Sequence, residues 1–450
     1  MKPAFFPVIL GGARNSFTPA RLFSSGAKGA WYDPSDYSSL CQDSAGATPV
    51  TAAEQPVGLM RDKSGNGNHA SQATTASRPV LRARYNLLTY SEQFDNALWI
   101  RTGFDAFGSG SVANATTAPD GTTTADFIRP GTTSSAQKFT QNPSPAQTAQ
   151  TLSIYVKASG YSKVALKESA TTGNYASFDL SNGTVLANTA GVGTSIIALS
   201  NSWYRISMAL ASAGSCGLQI SVLAPAYTTG DPNGSTFSGD GTSGVFVWGA
   251  MLNTGSSAGT YQRIAAATDY ATAGFLPYLA LDGTDDSFGT GSIDFSTTDK
   301  MFVCAGLTKN SDAATGTVID QNGVAGTNTF MLRAPSSAAA NYVFYSGGST
   351  GFSGATATPY AAPITNVVSG IGNISGDQEI IRINGAQVAI STVDQGTGNY
   401  SNLPIYIGRR QGTGLPFNGR LYQMVVCGKT LSASELASTE AFVNQKTGAY

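Results

Sequence analysis

Short apolar or alternating runs recur along most of the chain, each bounded by Gly, Asn, Asp or Ser. TLSIYVKA (Thr151 to Ala158), YASFDL (Tyr175 to Leu180), WYRISMAL (Trp203 to Leu210), GLQISVL (Gly217 to Leu223) and GVFVWGAML (Gly244 to Leu252) lie in the first part. KMFVCAGL (Lys300 to Leu307), TFMLRA (Thr329 to Ala334), NYVFYS (Asn341 to Ser346), EIIRING (Glu379 to Gly385), LPIYIG (Leu403 to Gly408) and RLYQMVVCG (Arg420 to Gly428) follow. A period of two over five to nine residues, with turn residues between runs, predicts strands of sandwiches or jelly rolls. Helical periodicity is almost absent before the C-terminus. There Ser432 precedes ASELASTEAFVNQK, with Glu435 placed to complete a capping box and Leu436, Phe442 and Val443 giving an apolar stripe.

The length of 450 residues allows several domains with sizeable cores. Charged residues are only 12% of the chain, about half the usual share, and Lys+Arg 26 against Asp+Glu 27 leaves a net charge of -1. A nucleic acid or an anionic membrane surface needs a basic cluster to displace counterions, so neither is an expected partner. No run approaches the roughly 18 apolar residues of a membrane span. The start, MKPAFFPVILGGARNSF, has a short apolar run broken by Pro7 and no small-residue cleavage site, so no secretory signal is expected. Cys41, Cys216, Cys304 and Cys427 are too far apart for a zinc knuckle and too few for a disulfide scaffold; buried thiols are expected.

Two stretches read as parts of one unit. The first contains WYDPSD (Trp31 to Asp36), DKSGNGNHA (Asp62 to Ala70) and RPVL (Arg78 to Leu81); the second opens on LALDGTDD (Leu279 to Asp286). Asn384-Gly385, Ile407-Gly408, Gly419 to Val426 and Leu431 to Glu435 follow in order. This ordered set resembles the concanavalin A-like, laminin-G-type lectin domains of bacteriophage structural proteins. Between them, NLLTYSEQFDNALW (Asn86 to Trp99), NATTAPDGTTTADFI (Asn114 to Ile128) and VFVWGAMLNTGSSAGTYQRI (Val245 to Ile264) resemble a carbohydrate-binding-module-like jelly roll of phage fibres and head spikes. The expectation is an all-β chain: an N-terminal arm (1–25), a discontinuous lectin-like sandwich (26–83 plus 274–450) and an inserted sandwich (84–273), with a short C-terminal helix. Sandwich ends that lie close together permit such an insertion. The arm would either dock on a neighbouring protein or pack on its own domain.

The candidate chemistry is sparse. His69 is the only histidine, so a Ser-His-Asp or Cys-His mechanism would have to pass through it; it sits in a turn-rich stretch where a backbone hydrogen bond is expected instead. Glycoside hydrolysis needs only two carboxylates, which Asp282, Asp285 and Asp286 could supply, although D-G and T-D-D equally suit a tight turn. Concanavalin-like glycosidases commonly alternate acidic residues along one strand, and no such strand is present. No enzyme activity, catalytic residue, cofactor or metal is therefore expected. Were calcium held, Asp62, Asn66 and Asn68 would be the residues, but the spacing lacks regular D-x-D-x-D ligands. A sugar would stack on exposed aromatic rings. Trp203 and Trp248 fall inside alternating strands and are expected in the core, whereas Trp99, Phe104 and Phe107 are the candidates for an exposed platform.

From the resemblance follows a virion surface protein, a spike, fibre or decoration subunit. It would bind other virion proteins through residues 1–25 and host-surface glycans through its sandwiches, as a homo-oligomer with a trimer favoured. A capsid cement protein without sugar binding and a glycan depolymerase are the alternatives.

Overall fold

The computed structural model describes residues 17–143, 149–169, 173–211, 217–321 and 327–450. Strands form four large sheets, and the one α-helix among these residues is Ala433–Thr447. The chain is an all-β protein of sandwiches closed by that helix.

One sandwich stacks an eight-stranded sheet on a nine-stranded one. In the first, Lys300–Lys309 lies between Ile364–Asn373 and Asn418–Cys427, and the last of these also pairs with Gly29–Tyr32 and Tyr278–Asp282. Its core joins Ala30, Tyr32, Met60 and Leu81 to Leu279, Val303, Phe344 and Met424, so residues far apart in sequence share one interior. The uninterrupted apolar run of KMFVCAGL has a physical cause: both faces of its strand are covered. Met301, Val303, Ala305 and Leu307 point into the sandwich, while Phe302 and Cys304 point outward beneath the helix.

That helix begins as its sequence predicts. Ser432 Oγ accepts from the Glu435 amide at 3.2 Å, and Glu435 Oε2 accepts from the Ser432 amide at 2.8 Å. Val443 is buried, with Leu436 and Phe442 packed beside it. Of the two alternatives for the arm, residues 17–25 take the second: Pro19–Phe23 forms a 3-10 turn whose Leu22 and Phe23 are buried with Trp31, Val425 and Val443. Apolar side chains this close to a covered sheet bury themselves on their own fold. The remainder of that segment, 1–16, lies outside the described residues, as does Cys216.

The second sandwich packs a six-stranded sheet, centred on Gln150–Ser159 and Gly244–Thr254, against a seven-stranded one centred on Lys163–Glu168 and Leu218–Val222. Its separate core runs from Leu88 and Phe94 through Leu152, Val164 and Ile220 to Leu252. Gly249 makes a bulge possible in the longest of these strands. Its φ of +61° is left-handed, and a Cβ there would lie 3.0 Å from the Tyr155 ring.

The chain leaves one sandwich and re-enters it at a single aromatic junction. Tyr85 Oη donates to Leu276 O at 2.7 Å, and Tyr278 Oη donates to Arg84 O at 2.9 Å. The Arg420 guanidinium lies 4.5 Å from the Tyr278 ring centre and 5.5 Å from that of Tyr85.

Candidate functional site

Beside this junction a loop of the second sandwich is held rigid by buried amides. Asn86 Nδ2 donates to Ala250 O and Gln262 O, both at 3.0 Å, while its Oδ1 accepts from Leu88 N and Leu252 N. Ser91 then pairs with Ile264 in both directions through backbone and hydroxyl. Further along, Trp99 Nε1 donates to Tyr90 O at 2.9 Å, which holds Tyr90 at a φ of +50°. Of the side chains that follow Tyr90, those of Glu92, Gln93, Asp95 and Asn96 line one hollow.

The hollow has a volume of about 470 Å³, within the range that small-molecule sites occupy. Tyr90, Glu92, Asp95 and Asn96 come from this loop, and Asn114 and Arg263 face them from other segments. Glu92 is only 7% exposed; its carboxylate accepts from Tyr261 Oη at 3.0 Å and lies 3.4 Å from Arg263 Nε. Burial raises its pKa above the usual carboxylate range, against the pull of Tyr261 and Arg263. Behind the loop, buried Asp126 accepts from Phe94 N at 2.9 Å and Asn114 N at 2.8 Å, and burial pushes it up to about 7. A phenol, two carboxylates, two amides and a guanidinium on one concave surface can donate and accept hydrogen bonds to a polyhydroxyl ligand.

The platform expected from the aromatic residues is not there. Trp99 is 2% exposed and lies against Phe94 at 4.9 Å between ring centres, because its indole N–H is needed inside to hold Tyr90 O. Phe104 stacks on Phe139 at 4.8 Å and Phe107 packs against the same ring, so both close the edge of the core. Trp203 and Trp248 are buried, their N–H groups donating to Thr117 O and Thr124 Oγ1. The pocket instead uses polar members of NLLTYSEQFDNALW. Their alternation with apolar residues carried no strand or helix period, and that irregularity was the one available signal.

The Asp62 loop is occupied by its own hydrogen bonds. Asp62 Oδ1 accepts from Trp31 N and Ser64 N, and Oδ2 from Ser64 Oγ and Asn68 N. Asn66 and Asn68 each donate through Nδ2 to Gly29 O, and His69 Nδ1 accepts from Asp62 N at 3.0 Å. The oxygens and amides of Asp62, Asn66 and Asn68 thus fix the turn against Gly29–Tyr32.

Asp282, Asp285 and Asp286 do converge, with carboxylate oxygens within 4.8 Å of one another, and among the described residues they form the acidic group able to share a cation. Their bonding is that of a turn. Asp282 Oδ1 accepts from Thr284 N and Asp285 N, Asp286 Oδ2 from Asp282 N, and Asp285 Oδ2 from Ser77 Oγ. Burial, followed by the charge of Asp282, pushes Asp286 up to about 6.

Residues 282–437 match the Concanavalin A-like lectin/glucanases superfamily, in its Laminin_G_3 family. This stretch of the first sandwich is lectin-like. No curated protein matches the chain. Among solved structures, the binding domain of Paraclostridial Mosquitocidal Protein 1 is similar, with a TM-score of 0.30 and 14% identity over 38% of this chain and 44% of that one. The Ruminococcus gnavus IT-sialidase CBM40 bound to alpha2,3 sialyllactose gives 0.27 and 20% over 36% and 98%. A SAP-like pentraxin from Limulus polyphemus gives 0.29 and 11% over 35% and 78%. Less than half of the toxin domain's length is therefore matched.

Proposed function

We propose that this protein binds glycans without cleaving them, through the hollow formed by Tyr90, Glu92, Asp95, Asn96, Asn114 and Arg263. The observation that carries the reading is the convergence of these hydrogen-bonding groups on about 470 Å³ of concave surface. The lectin-like match of residues 282–437 supports it from the neighbouring sandwich. Binding without catalysis is favoured because His69 is tied to the backbone and the Asp282–Asp286 carboxylates hold a turn. An array of bacterial surface glycans probed with the full chain tests the reading. Retention of a defined set of oligosaccharides is expected; a blank array contradicts it.

The biological setting proposed is the surface of a bacteriophage particle, as a spike, fibre or decoration subunit assembled as a homo-oligomer, a trimer favoured. Its support is the ordered motifs from Trp31 to Asp36, Asp62 to Ala70 and Leu279 to Asp286, which resemble phage structural proteins. Attachment would fall to residues 1–16, since Leu22 and Phe23 are already used within the fold. Many weak sites on one particle would then act together through avidity. Antibody labelling of purified particles tests this: label on head or tail is expected, and unlabelled particles contradict it.

A further inference from the structure

We propose that the hollow takes a sugar carrying a free ammonium group, an amino sugar, in preference to its N-acetylated or acidic counterparts. This rests on the glycan-binding reading and names its ligand class. The argument is one of charge placed on a concave, hydrogen-bonding surface. Across the chain charged residues are only 12% and nearly balanced, yet here Glu92 and Asp95 line the hollow opposite one cation, Arg263. Arg263 is already engaged, with its Nε 3.4 Å from Glu92 Oε2. Asp120 stands near enough to act on Glu92 and adds to the negative field around it.

Asp95 is exposed on the rim and carries no ion pair among the described residues. An ammonium has three donors and no acceptor, which suits a carboxylate that shares its hollow with Asn96 and Asn114. Acetylation would replace that charge with a neutral amide and forgo the charge-assisted bond. A uronic or sialic acid would bring a third carboxylate against Asp95 and Glu92, a like-charge contact that disfavours it.

The test is calorimetric titration of the full chain with the trisaccharide of glucosamine, that of N-acetylglucosamine, and an oligosaccharide bearing glucuronic acid. The glucosamine form is expected to bind at least about tenfold more tightly than the N-acetyl form, and the acidic sugar least. Asp95→Asn should bring the ratio of the first two close to one, and Asp95→Lys should invert it. The rim position of Asp95 allows both variants to fold, as unchanged thermal midpoints would verify. Equal or tighter binding of the N-acetyl form, or a ratio that survives Asp95→Asn, overturns the inference and leaves glycan binding standing. If none of the three binds and the glycan array is blank, both fall together.

Discussion

Gln262 and Asn86 clasp the two ends of the inserted sandwich: Gln262 Oε1 accepts from Tyr85 N at 2.6 Å and Asn86 N at 3.1 Å, while Asn86 Nδ2 donates back to Gln262 O at 3.0 Å. Gln262 Nε2 completes the arrangement by donating to Ala83 O and Ala271 O, both at 2.8 Å. Both side chains are fully buried. Gln262→Leu would leave two backbone donors and two carbonyls without partners, so it should destabilise the protein by about 3 kcal/mol. Denaturant unfolding followed by fluorescence measures this, and a loss below about 1 kcal/mol would show that the clasp is dispensable.

A second buried contact fastens the helix. Arg382 Nε and Nη2 reach Glu440 Oε1 at 2.8 Å and Oε2 at 3.0 Å, and the Glu440 side chain is 2% exposed. Arg382→Met strands a buried carboxylate and should cost roughly 3 to 5 kcal/mol; adding Glu440→Leu should restore most of it. A double-mutant cycle in thermal unfolding decides the matter, since independent residues would show no recovery.

Asp126 predicts the sign of a pH effect. Its pKa in the fold is raised from 3.8 to about 7 by burial, so the folded chain keeps a proton that the unfolded chain releases. This contribution to stability is full below the unfolded value and is lost as pH rises through the folded one. Relative to the wild type, Asp126→Asn should therefore gain roughly 4 kcal/mol between about pH 4 and about pH 8. Unfolding free energies of both proteins at the two pH values measure it; a constant difference would mean Asp126 stays ionised throughout.

The thiols give a chemical test of the core beneath the helix. Cys304 and Cys427 are buried there, and burial pushes both up to about 12. In the native protein at about pH 8 neither should react with an alkylating reagent, and both should react after unfolding. Peptide mapping of the labelled protein assigns the sites, and native labelling of either would show that the helix does not cover them.

The strands were legible because period-two runs such as EIIRING and LPIYIG have one rule for both faces, inward apolar and outward polar. KMFVCAGL was legible as a strand, although nothing local reveals that Phe302 and Cys304 lie under a helix more than 100 residues later. The capping box of Ser432 and Glu435 was readable because its chemistry spans three residues. The pocket was not. Trp99 reads as an exposed ring because it follows Asn96-Ala97-Leu98 at the edge of a strand, and only the tertiary bond from its Nε1 to Tyr90 O turns it inward. Arg263 and Glu92 are 171 positions apart in a chain with no period linking them, so their pairing belongs to topology rather than to pattern.

The claim that the Tyr90–Asn96 hollow binds sugar is tested most directly by filling it. Ala265 lines the hollow without being fully buried, so Ala265→Trp should occupy the space while leaving the fold and its thermal midpoint in place. Titration of the tightest array glycan into wild type and variant should show saturable binding to the first and at least about a hundredfold weakening in the second, as expected when a bulky ring displaces the ligand. Equal affinity in a folded Ala265→Trp protein would place glycan recognition elsewhere on the molecule and contradict the account.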